Sequence, residues 1–176
     1  MTERRDVVLP PELVDLAQQV VEANRAAGRR IAVAESCTGG LVTAALTEIA
    51  GSSDVFDAGL VTYSDEAKVA LLNVSRDVID TFGAVSLACA WAMAQGALAR
   101  TEADLAVAIT GIAGPGGGSE RKPIGRVVFA RARRGADPAE VVADVKDYGD
   151  IGRGGVRLQA ALCALDLLLP GKVLSP

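Results

Sequence analysis

The run Leu105-Ala106-Val107-Ala108-Ile109-Thr110 constrains the fold most tightly, because it is strand-length, apolar and free of charge. Successive strand side chains point to opposite faces, so a run apolar at every position must be covered on both sides. Such a strand belongs at the centre of a sheet held between two helical layers. The shorter run Arg30 to Ala34 and the segment Ala58 to Tyr63 are of the same kind, and each leads into a helical stretch. Before the first strand, Leu13, Leu16, Ala17, Val20 and Val21 recur at helical spacing behind Pro10-Pro11, and Gly28 suits the end of that helix. A helix is expected over Leu41 to Ile49. Ser64 caps a further helix through Leu72, Ser75 opens a short one to Phe82, and Ser86 starts an Ala-rich one ending near Arg100. Arg126 to Arg133 and Glu140 to Asp147 read as an antiparallel hairpin around Gly135-Ala136-Asp137-Pro138, and Arg153 to Leu169 as the last helix. The order implies an α/β fold, a three-layer α/β/α sandwich on a mixed, mostly parallel sheet of about five strands. With no internal repeat or linker, residues 1–176 read as a single domain, with 1–9 a loose lead-in and 170–176 a tail.

Composition then excludes whole classes of function. The chain is 50% hydrophobic but only 3% aromatic, so the core is aliphatic. A net charge of −4 is a poor footprint for nucleic acid, and the basic group Arg131, Arg133 and Arg134 reads as a solvated strand end. The three cysteines are widely spaced without a CxxC pair, which argues against zinc and for a reduced, cytoplasmic protein, with Cys89 and Cys163 in the core. Met1 to Asp6 lacks the apolar stretch of a signal peptide, and no apolar run approaches the ~18 residues of a membrane span. No histidine occurs. Ser-His-Asp, Cys-His and His-metal chemistries are thereby excluded. Proton transfer near neutral pH falls to Lys, Tyr, Cys or a carboxylate.

Three loops follow strands that read as parallel, and ligands in open α/β sheets bind at that end. In the first, Ala34-Glu35-Ser36-Cys37-Thr38-Gly39-Gly40, Ser36 is either a helix cap or a nucleophile. Thr38 is the better cap for a helix starting at Gly39, which leaves Ser36 and Cys37 free. The helix N-terminus behind them offers unpaired N–H groups. In the second, Tyr63-Ser64-Asp65-Glu66-Ala67-Lys68, Lys68 is a surface lysine or a desolvated general base. Tyr63 packs at the strand exit, relays a proton or holds substrate. The third, Thr110 to Pro123, is Gly-rich but fits neither phosphate-loop pattern, since Lys122 precedes Pro123 and a strand. It is a plain surface loop or one that closes over a ligand. Arg153 and Arg157, four apart in the last helix, share a face that is either solvated or grips a phosphate or carboxylate.

Taken in order, Ala34 to Gly40, Gly51-Ser52-Ser53, Val61-Thr62-Tyr63-Ser64 with Lys68, Gly83-Ala84-Val85-Ser86, and Thr110 to Pro115 with Gly117-Gly118-Ser119 closely resemble the CinA C-terminal domain family, the nicotinamide-nucleotide amidases. The resemblance covers roughly residues 12–169 and is to the stand-alone form, without the molybdopterin-binding-like domain of some members. It implies a homodimer that deamidates nicotinamide mononucleotide to nicotinic acid mononucleotide and ammonia in pyridine-nucleotide salvage, without metal or cofactor, and with no nucleic-acid or membrane partner. Carried onto this chain, it makes Ser36 the nucleophile, with Lys68 and Tyr63 handling protons. Substrate would be held by Glu35, Cys37, Thr38, Gly39 and Gly40, by Thr110, Gly111 and Gly114, and by Arg153 and Arg157. N–H groups of Thr38 to Gly40, or of the Gly111 loop, would stabilise the oxyanion, and the nucleotide phosphate would sit on a helix N-terminus or an arginine. The family's aromatic-x-Gly-Asp-Arg run is longer and rearranged here, as Tyr148-Gly149-Asp150-Ile151-Gly152-Arg153. Cys37 as nucleophile, a non-catalytic nucleotide-binding module, and a hydrolase of another small amide are the competing readings.

Overall fold

Five strands form one mixed sheet in the computed structural model, which describes residues 7–172 and residue 174. The readings of 1–6 and of the end of the tail lie outside those residues. In chain order the elements are α1 (Pro11–Ala26), β1 (Ile31–Glu35), α2 (Leu41–Thr47), β2 (Phe56–Val61), α3 (Asp65–Leu72), α4 (Arg76–Phe82), α5 (Leu87–Arg100), β3 (Leu105–Gly111), β4 (Arg126–Arg133), β5 (Ala143–Asp147) and α6 (Arg153–Leu167). The sheet order is β2-β1-β3-β4-β5. The first three strands pair in parallel, while β4 runs antiparallel to both β3 and β5. Four of the five strands therefore point the same way, and β1, β2 and β3 open their C-terminal ends onto one rim.

Side-chain size sorts the two faces of the sheet. Ile31 and Val33, Leu105, Val107 and Ile109, and Val127 and Phe129 face one core cluster, shared with α1, α2 and α6. Their alternates Ala32, Ala34, Ala106, Ala108, Ala130 and Ala132 face the other, under α5. Small side chains on that face let the Ala-rich α5 lie close. Gly96 of α5 continues the pattern, since a Cβ there would run into the Leu72 carbonyl of α3.

The N-caps at Ser64 and Ser86 form, their hydroxyls accepting from Ala67 N–H at 3.0 Å and Cys89 N–H at 3.1 Å. Several boundaries differ from the sequence reading. Helix α2 ends at Thr47, and a short 3₁₀ turn over Ser52–Asp54 follows it. Strand β2 begins at Phe56, and β5 only at Ala143. The basic strand end is corrected too. Arg131 is only 8% exposed and donates from Nε to Leu167 O, and Arg134 donates to Leu98 O, Thr101 O and Ala103 O. Both guanidiniums satisfy carbonyls at or just beyond helix C-termini, Arg131 in the interior and Arg134 at the surface, while Arg133 is exposed as expected.

Candidate active site

Ser36 is the first residue beyond β1, and its N–H is held by Ile109 O of the neighbouring strand β3 at 2.9 Å. Lys68 lies in the first turns of α3, four residues after the capping Ser64. One helical turn carries its side chain back over the β2 exit. The Lys68 Nζ reaches Ser36 Oγ at 3.1 Å, Thr62 O at 2.9 Å and, at a longer 3.5 Å, Ser64 O. The lysine is 1% exposed and the serine 7%. Burial is the largest influence on the amine and pushes its pKa below the ordinary lysine value. The Cys89 thiol, Asp65, Cys37 and Glu66 act the other way and more weakly.

The hydrogen bonds accommodate either state of the amine. Thr62 O and Ser64 O can only accept. An ammonium donates to all three oxygens, Ser36 Oγ included, while a neutral amine keeps two N–H groups for these carbonyls and offers its lone pair to the Ser36 hydroxyl. That is the polarity in which a lysine withdraws a proton from a serine.

Glu35 occupies the helix N-terminus that the sequence reading left for an anion. Its side chain is fully buried. Its carboxylate accepts from the N–H groups of Gly40 (3.0 Å), Val42 (3.2 Å) and Thr43 (2.8 Å), and from the Thr43 hydroxyl (2.7 Å). A carboxylate from the end of β1 thus caps α2, and Gly59 on β2 leaves the room for Thr43 to join it. Two expectations change as a result. Thr38 is not the cap, for helix α2 starts at Leu41 behind a left-handed Gly40, and the buried Thr38 hydroxyl has no hydrogen-bond partner. The amides of Gly39 and Gly40 are also unavailable to an oxyanion, being committed to Ser36 O and Glu35. Those of Cys37 and Thr38 bond no oxygen among the described residues and turn toward the Cys37 sulfur. Glu35→Ala would orphan all four donors, and we expect it to cost about 3 kcal/mol or more in chemical denaturation.

Cys37 packs in the core at 5% exposure, and burial pushes its thiol up to about 11. At neutral pH it is a protonated core thiol rather than an activated one.

The remaining candidates gather on the α6 side. Arg153 donates from Nη2 to Tyr63 Oη at 2.6 Å and from Nη1 to Gly114 O at 2.9 Å, tying the second and third loops together. Arg157 donates from Nη2 to Thr38 O at 2.9 Å, with Gly39 packed beside it. Tyr63 therefore partners Arg153, and no hydrogen bond joins it to Ser36 or Lys68. The Thr110 hydroxyl is turned inward onto Ala84 O at 3.0 Å, and Gly111 is needed for close pairing with Arg126 and Val127 of β4. Lys122, at the far end of the Gly-rich loop, fastens that loop to the C-terminus of α4 by donating to Phe82 O at 2.7 Å.

Sequence reasoning missed the Glu35 cap, the carbonyls of Thr62 and Ser64, and the Lys122 latch. The cap has a readable trace, an acidic residue ending a buried strand six positions before a helix that lacks a capping side chain. Carbonyl positions leave none. Among the described residues no group of acidic or thiol side chains is placed to hold a metal ion, and no helix is long and apolar enough to cross a membrane.

Fold and site define a three-layer α/β/α protein with a serine–lysine pair at the C-terminal rim of its parallel strands. The chain belongs to the CinA C-terminal domain family, whose model matches residues 13–171. It is 47% identical over 157 residues to the nicotinamide-nucleotide amidohydrolase PncC of Escherichia coli K12, covering 89% of this chain and 93% of that one. It is 54% identical over 142 residues to a CinA-like protein of Mycobacterium sp. strain JLS, covering 81% of this chain but 33% of the relative. The chain thus spans about a third of the longer CinA-like relatives. Among solved structures, the competence/damage inducible protein CihA of Agrobacterium tumefaciens superposes with a TM-score of 0.87 at 47% identity, over 92% of this chain and 96% of that one. A CinA superfamily protein of Klebsiella pneumoniae does so at 0.82 and 38%, over 89% and 94%.

Proposed function

We propose that this protein is an amidohydrolase that converts nicotinamide mononucleotide to nicotinic acid mononucleotide and ammonia in pyridine-nucleotide salvage. The observation that carries the reading is the 3.1 Å contact between Ser36 Oγ and a buried Lys68 amine, in a chain without histidine. Similarity to PncC over most of both chains supplies the substrate class.

Ser36 Oγ attacks the carboxamide carbon while its proton passes to Lys68 Nζ. The carbonyl oxygen becomes an oxyanion, for which the N–H groups of the Gly111 loop are the donors left once those of Cys37 to Gly40 are committed; one such donor is typically worth about 10²–10³ in rate. Lys68 then returns the proton to the amide nitrogen, and the C–N bond breaks to release ammonia. Water, deprotonated by Lys68, cleaves the acyl ester and restores Ser36. With the α2 N-terminus filled by Glu35, the nucleotide phosphate falls to Arg153 and Arg157. Tyr63, Gly111 and Gly114 shape the mouth, and Thr110 acts from behind it. No step calls for a metal.

We further read the protein as a cytoplasmic homodimer with no nucleic-acid or membrane partner. Exposed Leu71, Phe82 and Leu87 on the α3–α5 layer support a second copy. The test of the reaction is ammonia release from nicotinamide mononucleotide, with nicotinic acid mononucleotide identified as the co-product. Saturable binding without turnover would assign a nucleotide-binding module instead. Turnover confined to other amides in a substrate panel would assign a different amidase.

A further inference from the structure

Lys122 makes a contact to which the reaction assigns no role. It stands half-buried in the return limb of the Gly-rich loop between β3 and β4, and it pairs with no carboxylate among the described residues. Its amine instead donates to Phe82 O, at the last residue of α4, at 2.7 Å. A helix end leaves its last carbonyls unpaired and partly negative, and α4 has no basic residue of its own in its last turn. Gly83 leaves the amine its room, for a Cβ there would stand 2.8 Å from Lys122 Nζ. Backbone bonds in both directions between Ser119 and Lys122, at 2.8 and 3.2 Å, close a turn at the base of the side chain.

The segment that receives Lys122 is also tied to the rim that carries Ser36. Thr110 Oγ1 donates to Ala84 O at 3.0 Å, and the preceding residue, Ile109, accepts the Ser36 N–H at 2.9 Å. Residues 110 and 122 are therefore both fastened to the short stretch 82–84, which closes the loop between them into a ring. Inside that ring Ala113 and Gly114 are buried, yet their N–H groups bond no oxygen among the described residues. Buried amides without a partner are rare in folded chains, so these two are the loop's donors for an oxyanion. The tip, residues 115–121, is exposed and carries three successive glycines, so its own backbone does little to fix the loop.

We propose that Lys122 is a positioning residue for amide hydrolysis: its bond to Phe82 O closes the ring that holds the Ala113 and Gly114 amides where the oxyanion forms. The inference rests on the amidase reading and deepens it. Donors displaced by about 1 Å can lose about 10²-fold in rate, so one bond far along the loop has a kinetic consequence.

Steady-state kinetics with nicotinamide mononucleotide, together with hydrogen–deuterium exchange read by mass spectrometry, test the latch on the full chain and on Lys122→Met and Lys122→Arg. We expect Lys122→Met to lower kcat about tenfold or more while KM stays within about threefold, the mark of an interaction made in the transition state. Lys122→Arg keeps a charged donor for Phe82 O and should recover most of that loss. Exchange over residues 112–118 should be about tenfold faster in Lys122→Met, return with Lys122→Arg, and stay unchanged over β3 and α5. An unaltered kcat, a rise in KM alone, equal losses in both variants, or faster exchange over the whole chain would each overturn the proposal. Unchanged exchange over 112–118 in Lys122→Met overturns the latch whatever the activity. The exchange difference in a protein that releases no ammonia overturns the amidase reading and keeps the latch.

Discussion

Replacing Ser36 with alanine is expected to lower ammonia release from nicotinamide mononucleotide by about 10⁴-fold or more, the scale on which hydrolases lose a serine nucleophile. The change removes one oxygen and keeps a small residue where the chain leaves β1. Its backbone N–H bond to Ile109 O is retained, so thermal stability should change little. Cys37→Ala is the matched control. Cys37 lies next in sequence, but it is buried and its thiol stays protonated. Its loss should leave turnover within about tenfold of the unmodified protein, with a stability cost of roughly 1–2 kcal/mol for the cavity. The opposite pattern, an active Ser36→Ala and an inactive Cys37→Ala, would move the nucleophile to the thiol.

Lys68→Met should lose about 10³-fold or more in kcat/KM while remaining folded. Methionine has comparable length and fills the same buried channel, though Thr62 O and Ser64 O lose their donor. The variant separates catalysis from packing because the lysine is a poor stabiliser. Burial lowers its folded pKa below the unfolded value of 10.5. Between those two values the unfolded chain binds the proton and the folded chain does not, so stability rises with pH across that window. Below the folded pKa, folding carries the full cost of burying the ammonium. Denaturation curves should therefore show the stability of the unmodified protein climbing relative to Lys68→Met as pH rises through the folded pKa of Lys68. On the proposed mechanism the same group is expected to set the acid limb of kcat/KM, because only the neutral amine can accept the Ser36 proton. A limb that persists unchanged in the residual activity of Lys68→Met would assign it to another residue.

Much of the architecture is legible in the chain because its strands are short and apolar at every position. The run Leu105 to Thr110 could only be central, and β3 does lie in the middle of the sheet. The serines at 64 and 86 mark helix starts through a local interaction, which is why their caps can be read directly. The edges were less legible. The segment 140–142 carries strand-like valines, yet β5 starts at Ala143, since pairing with β4 decides where a strand begins. At the site, the Ser36–Lys68 pair could be anticipated because two strand exits on one rim leave few other partners in the absence of histidine. Glu35, Arg131 and Arg134 were misjudged for a common reason. Each binds backbone groups of an element distant in sequence or still unformed in any local reading, and a charged residue's pattern does not reveal which carbonyl or amide it will meet. Thr38 and Thr43 show the reverse, for the threonine placed to cap α2 is orphaned while the one inside the helix completes the cap.

The central claim is that Ser36, with Lys68 as its base, is the atom to which the substrate's acyl group is transferred. Rapid chemical quenching of the protein with nicotinamide mononucleotide, followed by proteolysis and peptide mass spectrometry, measures that transfer. A nicotinate-mononucleotide ester is expected on Ser36, absent from Ser36→Ala and strongly reduced in Lys68→Met. An adduct on Cys37, or steady turnover with no adduct on the peptide that carries Ser36, would contradict it.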